Sequence, residues 1–299
     1  MRKPGSQRSS RRRSSPPLPV RDGLGPARLR LLGGNVYDEL QTRFGIGAKV
    51  LAGEVVLPDG TPVDATTTLP AGAHVYFYRD LVDEVEVPFD IPVLYRDDDI
   101  VVVDKPHFLA TMPRGGHVAQ TALVRLRREL DLPDLSPAHR LDRLTAGVLL
   151  FTVRREVRGQ YQRLFAEGGV RKTYLARADG VATVSLPATL RSRIIKQRGR
   201  LQAFEEPGEP NAETYVEDMG SGLYRLSPRT GQTHQLRVHM ASIGLPIIGD
   251  SLYPNVIDVA PHDFGNPLQL LAQRLAFTDP TTGEDREFVS ARVVGRSLA

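Results

Sequence analysis

The chain has 299 residues, 40% of them apolar and 25% charged, which is the balance of an ordinary globular protein of one or two domains. No apolar run reaches the ~18–20 residues that a spanning helix needs, so no membrane partner is expected. The absence of cysteine excludes disulfide scaffolds, thiolate metal sites and cysteine nucleophiles. The net charge of +4 is unevenly spread: residues 1–21 carry seven Lys or Arg and no acid, residues 22–110 carry 15 acids against 7 bases, and residues 111–299 carry 20 against 25. A phosphate-bearing partner therefore belongs with the C-terminal part.

Residues 1–25, rich in Arg, Ser, Pro and Gly, offer little to bury and read as a disordered basic arm. Such an arm serves either as a sequence-independent grip on nucleic acid or as a solvated tail. With no apolar segment after its charges it is not a secretory signal, and a cytoplasmic location is expected; a transit peptide fits its composition but lacks the amphipathic stripe. Residues 26–87 read as a small N-terminal α/β unit. It has a helix over 36–44 and short strands between 54 and 78, set apart by the turns Pro58-Asp59-Gly60 and Pro70-Ala71-Gly72. Pro88 and Pro92 flank a linker, and residues 88–299 form the larger domain.

The larger domain opens with a buried strand over 100–103 that ends at Asp104-Lys105-Pro106. A helix over 121–130 follows, with Leu123, Leu126 and Leu130 on one stripe. A buried strand over 148–153 leads into a helix over 154–167, stopped by Gly168-Gly169. Residues 170–178 form a strand with Lys172, Tyr174 and Ala176 on one face. Thr233 is a fitting N-cap for a helix whose Leu236, Met240 and Ile243 face the core. The mix points to an α+β fold with a mostly antiparallel sheet.

The densest polar segment is His139-Arg140-Leu141-Asp142-Arg143-Leu144-Thr145-Ala146-Gly147, a loop feeding a core strand. A carboxylate flanked by arginines is held in its charged form and suits a nucleophile, a general base or a metal ligand. The same pattern also fits a surface Arg–Asp network that pins a loop. A second segment, residues 229–239, places His234 and Arg237 three apart on one helix face near a helix start that favours anions. His234 and His239 are five apart, roughly 140° around a helix, which argues against a shared metal. The run Arg191, Arg193, Lys196, Arg198 and Arg200 contains no acid and reads either as a basic rail for phosphates or as a solvated hairpin. The Asp97-Asp98-Asp99 triplet reads as a solvated turn.

Together these segments resemble the RluA-type pseudouridine synthases. The family signature, H-R-L-D-x-x-T-S-G before an apolar strand, reads HRLDRLTAGVLLF here. Four further blocks are similar and in the same order: DDDIVVVDKP, KTYLA, RTGQTHQLRVHMASIGLPIIGDSLYP and LLAQRLAF. Two departures stand out: Ala146 replaces the signature serine, and HFLATMPRGGH replaces the usual short glycine-containing turn after Lys105-Pro106.

The resemblance implies an α+β catalytic fold with a bisected, mostly antiparallel mixed sheet around a central cleft, plus the small N-terminal unit, which is faintly S4-like. It implies that Asp142 is the catalytic aspartate, that Tyr174 stacks on the target base and that Arg237 pairs with the aspartate. Arg140 meets the RNA where the nucleotide is extruded, and Arg143, Thr145, Lys172, His234 and Gln235 are the further substrate-binding residues. It implies action on ribosomal or transfer RNA, with no cofactor and no metal; a monomer is the default expectation. The alternative is a catalytically silent RNA-binding or assembly factor on the same fold. A hydrolase would want a second carboxylate about 5–10 Å from Asp142, and none is evident near the signature.

Overall fold

The computed structural model describes residues 16–81 and 83–295. Contacts divide the chain into two compact units, the first reaching to Asp80 and the second starting at Leu81.

The first unit contains β1 (Ala27–Arg30), β2 (Gly34–Asn35), α1 (Val36–Phe44), α2 (Ala48–Leu51), β3 (Thr68–Leu69) and β4 (His74–Phe77). β1 pairs antiparallel with β4, and β2 with β3. α1 starts where the Asn35 side chain accepts the Asp38 N–H and stops at Gly45 in the left-handed region. Its Val36 and Leu40 pack against Val50, Val55, Val63 and Val75. The arm read over residues 1–25 lies partly outside the described residues. Its described end is tied down, not loose: the Tyr78 hydroxyl donates to the Pro19 carbonyl at 2.6 Å, Arg21 lies over the Tyr78 ring and Leu24 is buried.

The second unit runs through β5 (Val93–Arg96), β6 (Ile100–Lys105), α3 (Ala122–Glu129), β7 (Ser136–Pro137), β8 (Ala146–Thr152), α4 (Arg155–Ala166) and β9 (Val170–Arg177). It continues with β10 (Ala188–Ile195), β11 (Phe204–Glu206), β12 (Ala212–Asp218), β13 (Leu223–Pro228), α5 (Gln235–Ser242), β14 (Leu270–Thr278) and β15 (Asp285–Val289). The sequence boundary after residue 87 falls inside this unit. Glu84 already accepts the N–H groups of Val118, Ala119 and Gln120 ahead of α3, and Val87 and Ile91 enter the core.

These strands form one 11-stranded sheet in the order β11-β10-β12-β13-β9-β14-β8-β6-β5, with β15 beside β14 and β7 beside β8. β6 and β8 are buried throughout, as their unbroken apolar runs require. Alternate residues supply two cores, Val101, Val103, Leu149 and Phe151 on one face and Ile100, Val102, Val148 and Leu150 on the other. The Asp97-Asp98-Asp99 turn is braced: Asp97 accepts the N–H groups of Asp99 and Ile100, and Asp99 pairs with Arg154.

Every pairing in the sheet is antiparallel except β8 with β14, which is parallel and only two residue pairs long, Leu271 with Ala146 and Ala272 with Gly147. Ala272 is also the partner of Tyr174 on β9. This short junction bisects the sheet and sets the end of the signature loop one strand away from Tyr174. Gly147 has φ +112°, and a Cβ there would overlap the carbonyl of Ala272. Gly147→Ala is therefore expected to destabilise the second unit by at least about 1–3 kcal/mol in chemical denaturation, whereas Gly116→Ala, facing open space, is expected to leave the midpoint unchanged.

Candidate active site

The loop before β8 is gripped from behind by the segment that follows β6. Lys105, fully buried, donates through Nζ to the carbonyls of Pro106 and Leu109 at 2.8 Å and of Arg143 at 3.3 Å. His107 Nδ1 meets the Leu144 carbonyl at 2.8 Å, and Thr111 both donates to the Leu141 carbonyl and accepts the Leu141 N–H. The Thr145 N–H closes the turn on the Asp142 carbonyl at 3.1 Å. The backbone on both sides of Asp142 is thus bonded, while its carboxylate accepts no hydrogen bond among the described residues and looks into a cleft.

Burial pushes the Lys105 ammonium well below its ordinary value, with the Asp142 charge acting the other way. Burial likewise lowers His107 to about 4, against its carbonyl bond, and His139 to about 3. Both imidazoles are neutral near pH 7. His139 stacks on Phe165 at 4.2 Å and accepts the Leu150 N–H at 3.2 Å, so its proton resides on Nδ1.

The opposite wall is built on α5. Arg237, 2% exposed, is held in a bidentate pair by Asp250, with Nε to Oδ2 at 2.8 Å and Nη2 to Oδ1 at 2.6 Å. Asp250 also accepts the N–H groups of Leu252 and Tyr253. Burial alone would lower the Arg237 guanidinium, but the bonds and charge of Asp250 more than offset it and hold it up. Its Nη1 stands 3.9 Å from Asp142 Oδ2, an ion pair without a hydrogen bond. The pairing read from the resemblance is present in this looser form, because Asp250 claims the better face of the guanidinium.

α5 begins one residue later than the sequence suggests. His234, not Thr233, is its N-cap, at φ +59° and with no side-chain cap. That backbone turn aims the ring at the Tyr253 hydroxyl, 2.9 Å from Nδ1. The Tyr253 phenol is pushed up to about 12, chiefly by burial. Gln235 is committed internally: Oε1 takes the Thr230 hydroxyl and the Gln232 N–H, and Nε2 donates to the Glu213 carbonyl and to Thr214. Its amide braces the 229–235 turn and is not free for a ligand.

From β9, Tyr174 faces the cleft half-buried, its phenol raised above the ordinary value by burial and then by the Asp142 charge. Lys172, on the same face, donates to the Thr230 carbonyl at 3.1 Å and is lowered by burial. The cleft encloses about 580 Å³, within the ~300–1,000 Å³ usual for ligand sites. All the site residues read from the sequence line it except Arg143, which turns away into a second hollow beside Phe108 and Asp258. Reasoning from sequence missed Lys105, His107, Thr111, Asp250 and Tyr253. The local signals were the Asp104-Lys105 end of an otherwise apolar strand and the block ending GDSLYP, in which Asp250 and Tyr253 stand. Among the described residues no group of three or more His, Asp or Glu side chains is placed to hold a metal, and no helix is long and apolar enough to cross a membrane.

A family model described as RNA pseudouridylate synthase matches residues 99–242, the stretch that carries both cleft walls. An uncharacterised RNA pseudouridine synthase of Synechocystis is 34% identical over 65% of this chain and 69% of its own. The dual-specificity RNA pseudouridine synthase RluA of Yersinia pestis is also 34% identical, over 66% of this chain and 96% of its own. The chain belongs to the RluA-type RNA pseudouridine synthase family. The structure of human RNA pseudouridylate synthase domain containing 1 shares the fold, with a TM-score of 0.53 at 24% identity over 70% of this chain and 91% of that one.

In this pseudouridine synthase the buried charges make two predictions. Removing the charge with Asp250→Asn strands a buried guanidinium and is expected to cost about 3–5 kcal/mol in urea unfolding. The neutral histidines set a pH dependence: unfolded, both titrate near 6.5 and take up protons that the folded state refuses. The histidine contribution is therefore expected to be constant above about pH 6.5 and to fall toward pH 4, by up to about 1.4 kcal/mol per unit for each histidine. His139→Gln, which keeps an acceptor for Leu150, is expected to flatten that slope in unfolding curves taken across the range.

Proposed function

We propose that this synthase isomerises uridine to pseudouridine in ribosomal or transfer RNA, as a single chain in the cytoplasm, with Asp142 as its catalytic residue. The observation that carries the reading is one carboxylate with a bonded backbone and unbonded oxygens, 3.9 Å from a buried guanidinium at the wall of a nucleotide-sized cleft. The relative from Yersinia pestis is named a dual-specificity enzyme, which supports testing both RNA classes.

The reaction breaks the N1–C1′ bond, turns the uracil and forms C5–C1′; the C5 proton leaves and N1 gains one, so no redox partner enters. Asp142 begins it at the ribose, either by attack on C1′ or by removing the C2′ proton. Arg237, rigid in the grip of Asp250, presents Nη1 to the charge that moves between carboxylate and uracil, and needs no rearrangement to do so. Tyr174 packs against the extruded ring. Asp142, free again once C5–C1′ has formed, is the final acceptor of the C5 proton, and the protonated Tyr174 hydroxyl relays it by passing its own proton to that carboxylate as it takes up the one from C5. Arg140 at the exposed rim and Lys172 beside Tyr174 receive the RNA that surrounds the flipped nucleotide. Flipping costs a few kcal/mol, least where the uridine lies in a loop.

The test is tritium release from unmodified ribosomal and transfer RNA transcripts labelled at uracil C5. Asp142→Ala is expected to abolish release with RNA affinity and fold retained; binding lost together with release would count against the assignment. Tyr174→Phe, which keeps the ring and removes the hydroxyl, is expected to slow release by about 10²–10⁴-fold. No release from either RNA class by the wild type, with binding intact, would favour the silent RNA-binding factor.

A further inference from the structure

The two halves of the sheet meet along only two residue pairs of β8 and β14, and the segment after β15 spans that junction a second time. The Ser290 N–H donates to the Gln273 carbonyl of β14 at 2.8 Å, at the bulge between Ala272 and Arg274. The Ser290 hydroxyl reaches across to β6 and donates to the Asp104 carboxylate, 2.8 Å from Oδ1 and 2.9 Å from Oδ2. The Ala291 N–H adds a bond to Oδ2 at 3.0 Å. Arg292 completes the contact: Nη2 donates to the Asp104 carbonyl at 3.1 Å, and Nε stands 3.3 Å from Oδ1 as an ion pair without a hydrogen bond. Three consecutive residues thus tie β14 to the end of β6.

That end of β6 is also the part that holds the catalytic loop. Consecutive residues of a strand point to opposite faces. Asp104, 2% exposed, turns to the C-terminal segment, and Lys105 turns to the loop carbonyls, that of Arg143 among them. Both pair with the start of β8, Asp104 with Val148 and Lys105 with Gly147. On the far side of the junction Ala272, next to Gln273, is the partner of both Gly147 and Tyr174. Burial lowers Lys105 and His107, which grip the loop, and the Arg292 charge lowers each of them further.

We propose that residues 290–292 form a clasp across the two sheet halves, in which Ser290 and Arg292 are positioning residues that set Asp142 against Tyr174 and Arg237. The inference rests on the isomerase reading above for the role of Asp142. None of the three lines the cleft, so they act through Asp104-Lys105 on one side and Gln273-Ala272 on the other. Apolar packing would join the halves without desolvating a carboxylate; directional bonds to Asp104 fix their spacing as well. A shift of about 1 Å in a reacting group is enough to cost roughly 10²-fold in rate, so the clasp acts on turnover and not on RNA binding.

Full-length R292Q and S290A test this, since each leaves the Ala291 bond and one other part of the clasp in place. In tritium release kcat is expected to fall roughly 10-fold in either variant, with KM and RNA affinity unchanged. R292K, which keeps the cation, is expected to recover most of that loss. R274Q, from the exposed Arg274–Glu287 pair on β14 and β15, is expected to keep the wild-type kcat. Amide hydrogen exchange gives a readout that needs no turnover: R292Q is expected to speed exchange at Leu141 and Thr145, in the Asp142 loop, and to leave β10 and β12 as in the wild type. A loss of protection in every strand alike would mark Arg292 as a residue of the fold only and overturn its positioning role. If no RNA releases tritium but exchange in the loop still quickens, the isomerase reading fails and the clasp stands. If release persists and both variants, melting as the wild type does, keep kcat and loop exchange, the clasp is overturned and the isomerase reading stands.

Discussion

The junction of β8 with β14 is the constraint on which the site depends. Two parallel residue pairs join halves of a sheet that is otherwise antiparallel. Beyond those two pairs β14 takes β15 as its neighbour and β8 takes β7, so the halves diverge. The chain enters β8 at the junction from the loop that carries Asp142. Ala272 meets Gly147 on one side and Tyr174 on the other, so the carboxylate loop and the tyrosine become neighbours through backbone register, with no side-chain contact needed to bring them together. A side chain at residue 147 would push the strands apart, which is why the signature ends in glycine here.

Around that junction the protein handles charge in two ways. Arg237 is buried beside an equally buried carboxylate, Asp250, whose Oδ1 also accepts two backbone N–H groups. Such a pair contributes little net stability, since desolvation offsets the attraction, but it fixes the guanidinium in one orientation. Lys105 is buried with carbonyl partners alone, which is the costlier arrangement and lowers its proton affinity. Lys105 braces the Asp142 loop from behind through those carbonyls, and Arg237 faces the Asp142 carboxylate from the opposite wall. The wall facing the ligand is therefore held in place by buried bonds, and the exposed Arg140 is left at the rim. This division suits a reaction in which charge shifts at one atom while a large polyanion is held at a distance.

Ordered elements were legible wherever one local rule dominated. α1 and the strands over β6, β8 and β9 follow from capping residues, glycine stops and apolar runs, and their observed limits lie close to the expected ones. Residues 16–25 departed from expectation because composition cannot see Tyr78, whose hydroxyl and ring capture that stretch across a long sequence separation. The helix start shifted from Thr233 to His234 because the Gln235 N–H, which a Thr233 cap would accept, is already bonded to the Gln232 carbonyl. The boundary after residue 87 moved because the Glu84 carboxylate caps the approach to α3.

What the sequence by itself determined was the family, the α+β class and the cluster of chemistry-bearing residues, because those are written in contiguous motifs whose order along the chain is preserved. Which of those residues share a cleft was decided only by tertiary structure. Arg143 stands next to Asp142 in sequence yet turns into another hollow, and Gln235 lies in the right motif yet spends its amide on the backbone. Asp250 and Tyr253 went unnoticed in sequence because nothing local distinguishes a carboxylate that will meet a buried arginine from one that will meet water. The physical reason is the same in each case: strand register and burial determine the direction and partners of a side chain, and both are set by contacts between residues far apart in the chain.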